Sequence, residues 1–532
     1  MVRLSNPLAF TPLSVIFWAT ATYIAIFAAL LTVHLRVPNY PHRTPAGTNL
    51  TQAWADLQHI TRQFHPYNSH ANDEVRNYLL SRIRDIIASR SLGSDRVEII
   101  DDQESNATFS SGQTSVYFEG TNVMVAIRGS YDKEPFYPTR FDTSSATRAA
   151  QNGGVLVNAH YDSVSTGYGA TDDGVGVVSV LQLLSYFTEP ENWPHRTIVL
   201  LLNNGEEDYL NGARAFMRHP ISRLPRTFLN LEGAGAGGRA TLFRSTDTEV
   251  TSFYKATRHP FGTIISGDGF KQGFIRSQTD YVVFNGQLGL RGLDVAFMEP
   301  RARYHTFEDS TRETSLRSLW HMLSASITTT SGLASDTSDR FSGSNDAIED
   351  GKVNAGTGTD AVWFDLFGEL FVLIRLHTLF ALCVTLLVVA PITLIGLTIA
   401  LSKSDKFYPF ARKSYVHSSD DDEPVHLNGW RGFFRFPLAF VLATAVVVAL
   451  AYLLQRTNPY IVYSSPYAVW RSVFFFNFLS IIPSTGPQYP TSDTLRPMRS
   501  HSSRDCWNLP ICHGSSQDQD RAILALYTRW LC

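Results

Sequence analysis

Cysteine and charge are both scarce in this sequence. Four cysteines in 532 residues are too few for a disulfide-stapled scaffold. Staples are not needed at this length, which has room for about two to four domains with ordinary cores. A basic surplus is missing as well: 45 Lys and Arg against 48 Asp and Glu leave a net charge of -3, which argues against a nucleic-acid binder. Charged residues make up only 17% of the chain, beside 12% aromatics, whereas the usual charged share is about 25%. Either the whole chain is greasy or an ordinary soluble domain is averaged with membrane segments.

The apolar residues are concentrated. Pro12 to Leu35 contains no Asp, Glu, Lys or Arg, and about 20 apolar residues cross a bilayer. No small-residue cleavage motif follows it directly, and it exceeds the roughly 7–15 residues of a signal-peptide core, so 12–35 reads as a retained anchor behind a cytosolic tail, 1–11. A second uncharged run, 379–401, contains Pro391, which membrane helices tolerate. A third spans 436–454. The loop between them, 402–435, holds Lys403, Lys406, Arg412, Lys413, Arg431 and Arg435, and a short loop so basic stays cytosolic. That assignment puts 36–375 on the far side, in a lumen, along with 455–532. Two glycosylation patterns, Asn49-Leu50-Thr51 and Asn106-Ala107-Thr108, agree with it.

Between Val155 and Met298, β-rich runs alternate with helical patterns. This predicts an α/β fold, a three-layer domain with a mostly parallel central sheet. Strands are expected at 155–160, 197–204, 226–233, 238–245 and 292–298. Val177, Val180, Leu181, Leu184 and Phe187 recur at helical spacing after the first strand. Upstream, Val75, Leu79, Ile83 and Ile86 mark a helix that Asn72 or Asp73 would cap.

In such sheets ligands gather at the carboxyl ends of the strands, and polar residues collect there. His160 and Asp162 close the first strand, and Asp172 follows in Gly-Ala-Thr-Asp-Asp-Gly. Glu206 and Glu207 end the second strand, Glu232 ends the third, and His305 follows the last. A single histidine at a strand end is ordinarily a packed or surface residue; the joint pattern reverses that reading. Imidazoles and carboxylates suit Zn²⁺, and one shared carboxylate can bridge two ions. With no cysteine ligand, a catalytic site is favoured over a structural one. Bare carboxylates after a long apolar run would be costly. The pattern therefore points to a metal hydrolase. Elsewhere the plain readings stand: His59, His65, His70 and His195 are expected at the surface, and the Gly-rich stretches 167–169 and 233–238 lack the Lys-Ser/Thr of a phosphate loop. Arg375 and His377 read as interfacial anchors.

Five blocks in order, NAHYDS, GATDDGVG, NNGEED, LNLEGAG and ARYHT, resemble the co-catalytic zinc aminopeptidase family that also holds glutamate carboxypeptidases. The likeness is strongest to its fungal vacuolar membrane proteases and covers roughly residues 10–480. It implies two zinc ions per chain: His160, Asp172 and Glu232 would hold one, and Asp172, Glu207 and His305 the other, with Asp172 bridging. It makes Glu206 the general base, Asp162 the hydrogen-bond partner that fixes the tautomer of His160, and Tyr304 a donor to the tetrahedral oxyanion. A packed aromatic is the competing reading of Tyr304. Asp173 would be structural, joined to Asp172 by a bond that is often cis in the family. The implied protein is a membrane-anchored exopeptidase of the vacuole, with peptide substrates and the bilayer as partners and no nucleic acid. Two alternatives stand beside it: a non-catalytic receptor or chaperone on the same fold, and a single-zinc acyltransferase like glutaminyl cyclase.

The family's vacuolar membrane proteases are expected to continue with further membrane helices and a second lumenal domain. Here the likeness persists to about residue 470, Ser472–Ile482 is too short to span, and from Pro483 the composition reads as disordered, with Cys506, Cys512 and Cys532 inside it. The expectation is a truncated or mis-predicted gene product, or a variant without the later helices; a natural short form is the alternative.

Overall fold

The structure is a computed structural model that describes residues 12–132, 153–342, 352–404, 413–417, 422–426, 429–458, 460, 461 and 467. An apolar helix, α1 (Pro12–Leu35), comes first. α2 (Leu50–Ile60) starts at Asn49, whose Oδ1 accepts the Gln52 N–H at 3.0 Å. α3 (His70–Ser89) is capped by Ser69, whose Oγ accepts the Asn72 N–H at 3.2 Å. The expected caps, Asn72 and Asp73, therefore sit inside its first turn. The apolar face of α3 begins only at Val75, so periodicity alone placed the start too late. Four strands follow: β1 (Val97–Asp101), the hairpin β2 (Asn106–Ser111) and β3 (Thr114–Glu119), and β4 (Val123–Ile127).

The expected alternation then appears: β5 (Gly154–His160), α4 (Val175–Phe187), β6 (Ile198–Asn203), α5 (Asn211–Phe216), β7 (Pro225–Gly233), β8 (Ala240–Ser245), α6 (Thr248–Tyr254), α7 (Ile264–Lys271), β9 (Arg291–Phe297) and α8 (Leu316–Ser335). The main sheet has the order β1-β4-β6-β5-β7-β9-β8. Its four central strands, β6-β5-β7-β9, are parallel to one another. β1, β4 and β8 join by antiparallel pairing. Every residue of β5, β6, β7 and β9 is buried, the mark of a sheet covered on both faces. Alternate residues of β5 serve the two covers. Val155, Val157 and Ala159 pack in the cluster that holds Leu57, Leu79, Leu181 and Leu323 of the helices α2, α3, α4 and α8. Leu156 joins Phe216 and Phe284 on the other face. This is the three-layer α/β domain.

A hairpin, β10 (Ala361–Leu366) and β11 (Leu370–Arg375), leads directly into α9 (Leu376–Lys403). A second small hairpin, β12 (Lys413–His417) and β13 (Asp422–His426), lies in the segment read as a loop, before α10 (Gly429–Thr457). Among the described residues two helices are long and apolar enough to cross a membrane, Phe17–Leu35 and Leu376–Lys403. The second overruns the expected 379–401 at both ends and carries Arg375 at its cap and His377 in its first turn. The third expected span falls within α10, whose described apolar stretch, Val441–Thr457, is shorter. The tail 1–11 and the disorder and cysteines expected beyond Pro483 lie outside the described residues.

One surface assignment is corrected. His65 is only 3% exposed; its N–H donates to Ser163 Oγ at 3.0 Å, tying it to the chain just after β5. Its isolation in the sequence hid this contact, since the partner lies 98 positions away.

His321 on α8 is buried at 3% exposure, and its Nδ1 accepts the Ala240 N–H at 3.1 Å. Burial, with Arg239 nearby, pushes its pKa from 6.5 down to about 3. A depressed folded pKa means that the unfolded chain takes the proton first. Its contribution to stability is whole above pH 6.5 and is lost progressively toward about 3. Unfolding of the detergent-solubilised chain should show about 2 kcal/mol lost between pH 6.5 and about 5 from this residue. His321→Gln, which keeps an acceptor, should flatten that part of the pH profile.

Candidate metal centre

Four adjacent parallel strands end at one edge of the sheet, and the polar residues at those ends come together there. His160 terminates β5, Glu206 and Glu207 stand in the turn after β6, and Glu232 is the penultimate residue of β7. His305 follows the short turn Arg301–Arg303 beyond β9. Asp172 lies in the turn Ala170–Gly174 that opens α4. β8, which intervenes in sequence, runs antiparallel at the sheet edge and supplies none of these residues.

His160 Nε2 lies 3.4 Å from Asp172 Oδ1 and 3.3 Å from Glu232 Oε1. His305 Nε2 lies 3.1 Å from Asp172 Oδ2 and 3.0 Å from Glu207 Oε2. Two groups result, His160–Asp172–Glu232 and Asp172–Glu207–His305, each with its ligand atoms within 4.8 Å of one another and with Asp172 common to both. Glu206 belongs to neither group.

The electrostatics is that of negative charges crowded out of water. Burial, with neighbouring carboxylates, raises Glu232 to about 8 and Glu207 to about 7. Burial and then Glu232 raise Glu206 well above its ordinary value. Burial works against charge on His305, yet Asp172 and Glu207 raise it to about 10. Asp172 is held low by the two histidines despite its burial. Glu207 Oε1 and Glu232 Oε2 are buried without a hydrogen-bond partner, a costly state for carboxylate oxygens. A cation would satisfy them. Each group offers one imidazole nitrogen and carboxylate oxygens, a donor set that fits zinc.

Supporting contacts set the geometry. The Nδ1–H of His160 donates to the main-chain carbonyl of Asp162 at 3.0 Å, which leaves Nε2 for the centre. The Asp162 carboxylate, expected to make that bond, stands 3.5 Å from Nδ1. It accepts instead the main-chain N–H groups of Gly205 at 2.8 Å, Glu206 at 3.2 Å and Glu207 at 3.3 Å. Asp162 thus pins the turn that carries two site carboxylates. Spacing put Asp162 beside His160 but could not tell which of its oxygens faces the ring.

Tyr304 stacks on His305 with ring centroids 3.6 Å apart, and Arg301 lies 3.8 Å from the centroid of the Tyr304 ring. Burial and the site carboxylates raise its hydroxyl pKa, so the group stays a donor. His305 itself has φ 60, a left-handed backbone uncommon outside glycine. Its side chain is 35% exposed, so the centre opens to solvent on that side. Asp173 is buried and its Oδ1 accepts the Gly176 N–H at 3.1 Å; the Asp172–Asp173 bond is cis.

Two acidic residues were missed by sequence reasoning. Asp309 accepts the Thr171 N–H at 3.0 Å, the Thr171 hydroxyl at 2.6 Å and the Asp172 N–H at 3.2 Å. It clamps the turn that aims the shared carboxylate, and nothing local in the sequence marks it. Asp280 accepts the side-chain amides of Asn158 at 2.9 Å and Asn203 at 2.8 Å, and burial raises it to about 6. Here a signal existed: Asn158, Asn203 and Asn230 interrupt otherwise apolar buried strands, and Asn158 and Asn230 lie two residues before His160 and Glu232, on the same face as those residues.

Residues 143–330 match peptidase family M28. The chain is also 73% identical over 472 residues to the vacuolar membrane protease of Phaeosphaeria nodorum, covering 88% of this chain and 49% of that protein. The match to peptidase family M28 falls on the domain that carries this centre. The five motif blocks had pointed the same way. A second relative, the vacuolar membrane protease of Aspergillus fumigatus, is 59% identical over 478 residues, again with 88% and 49% covered. The chain thus spans about half the length of the curated relatives it matches. Among solved structures, the Legionella pneumophila LapA aminopeptidase aligns at a TM-score of 0.40 and 14% identity, covering 59% of this chain and 75% of that one.

Because Asp309 holds the turn of Asp172 through three bonds, two to Thr171 and one to Asp172, Asp309→Ala should weaken zinc uptake by about 10–100-fold, the scale of losses when partners of a ligand are removed. Competition titration against a chromophoric chelator measures it.

Proposed function

We propose that this chain is a membrane-anchored zinc metallopeptidase that hydrolyses peptide bonds, and that it acts as an exopeptidase, in particular an aminopeptidase. The observation that carries this reading is the pair of ligand groups sharing Asp172. His160 and Glu232 would hold one zinc, Glu207 and His305 the other, and Asp172 both. When bound, two such ions lower the pKa of a water and polarise the carbonyl it attacks. Glu206, outside both groups and fixed through its main chain by Asp162, takes the proton of the attacking water and delivers it to the departing amine. The Tyr304 hydroxyl donates to the oxyanion that forms on the carbonyl. The exposed edge of His305 is the side from which peptide enters.

The same reading places the peptidase domain in the lumen of the vacuole, held by α1, α9 and a third span within α10. The names of the relatives and the basic segment between α9 and α10 support it. Asn49 and Asn106 are both exposed, as glycan attachment requires.

Elemental analysis of the purified chain should find two zinc ions per chain. One ion would favour the cyclase-like acyltransferase instead. Glu206→Gln should keep its zinc and lose roughly 10²–10⁴-fold in kcat on aminoacyl substrates, the range that general acid–base groups contribute. Wild-type turnover in that variant would remove Glu206 from the mechanism, and zinc-loaded wild-type chain without turnover on any peptide would support the receptor reading.

A further inference from the structure

A cavity of about 1000 Å³ lies where the end of α1 meets the peptidase domain. Val33 lines it from α1 and Arg36 from the residue that follows α1, Trp320 and Ile327 from α8, and Arg239 and Arg258 from the loops beside them. Three guanidinium groups face one acid among the lining residues, Glu369, which is already engaged by His259 Nδ1 at 3.2 Å. Arg239 Nε donates to the Arg36 carbonyl at 3.1 Å, joining α1 to the domain, while Arg239 Nη1 is buried without a hydrogen-bond partner. A buried cationic N–H with no acceptor is unfavourable and calls for an oxygen.

Depth narrows the class of that oxygen. Leu35 ends an apolar helix long enough to cross a membrane, so Arg36 stands at the level of lipid headgroups. Val33, one turn deeper, and Ile327 give the same cavity an apolar wall. A soluble anion would use the arginines and leave that wall idle; a zwitterionic lipid would bring a fourth cation to the three arginines.

We propose that this cavity binds an anionic glycerophospholipid, its phosphate on Arg36, Arg239 and Arg258 and its first acyl methylenes against Val33 and Ile327. The lipid clamps the α1–domain junction. The inference rests on α1 spanning the bilayer and is independent of the zinc chemistry.

The full chain in nonionic detergent, titrated with phosphatidic acid, phosphatidylcholine or inorganic phosphate, tests it by native mass spectrometry and thermal unfolding. Phosphatidic acid should be retained and should raise Tm; phosphatidylcholine and inorganic phosphate should do neither. Arg258→Gln, at an exposed position that leaves the Arg239–Arg36 link intact, should weaken retention about fivefold, the worth of one arginine toward an anionic lipid. Arg239→Gln combined with it should abolish the Tm shift while leaving the Tm in detergent alone as the control for folding. Equal retention of phosphatidylcholine, an equal Tm shift from inorganic phosphate, or undiminished retention in Arg258→Gln with its Tm in detergent intact would each overturn the proposal.

Discussion

One carboxylate, Asp172, must face two histidines at once, and much of the domain is arranged around that demand. Its two oxygens lie 3.4 Å from His160 and 3.1 Å from His305, residues far apart in sequence on different strand ends. A side chain that reaches two ways cannot also choose its own backbone position. Asp309 fixes that backbone and Asp162 fixes the Glu206–Glu207 turn. The raised pKa values of Glu207 and Glu232 express the same constraint, because buried carboxylates brought together without a cation hold on to protons.

The layer under the centre is polar where a sheet core is ordinarily apolar. Asn158, Asn203, Asn230, Asp280 and Asp294 hydrogen-bond across β5, β6, β7 and β9, and Arg244 closes the row on Asp294 at 2.6 Å. A network of this kind specifies strand register, since a slip would break these bonds and leave their buried groups unpaired. The strand ends are therefore held in place from beneath as well as by their own loops.

The low charge fraction has a separate origin from the chemistry. It reflects apolar helices whose surfaces lie bare in the isolated chain, while residues 36–375 hold most of the charged residues. The two parts meet at Arg36 and Arg239, where a helix end and a domain loop share a hydrogen bond beside a basic cavity.

The sequence by itself determined the α/β alternation, the strands β5 to β9 nearly to the residue, and the identities of the residues that meet at the centre, because short β-rich apolar runs and chemically costly strand ends are local signals. It also showed which runs are apolar enough for a membrane. It did not determine the antiparallel flanks, the cap of α3, the burial of His65, or the roles of Asp309 and Asp280. Nor did it reveal that the Asp162 carboxylate holds the Glu206–Glu207 turn while its carbonyl holds His160. Those depend on which distant segments pack together, as Asp309 and Thr171 do across 138 positions, and pairwise contact of that kind leaves no periodicity in either segment.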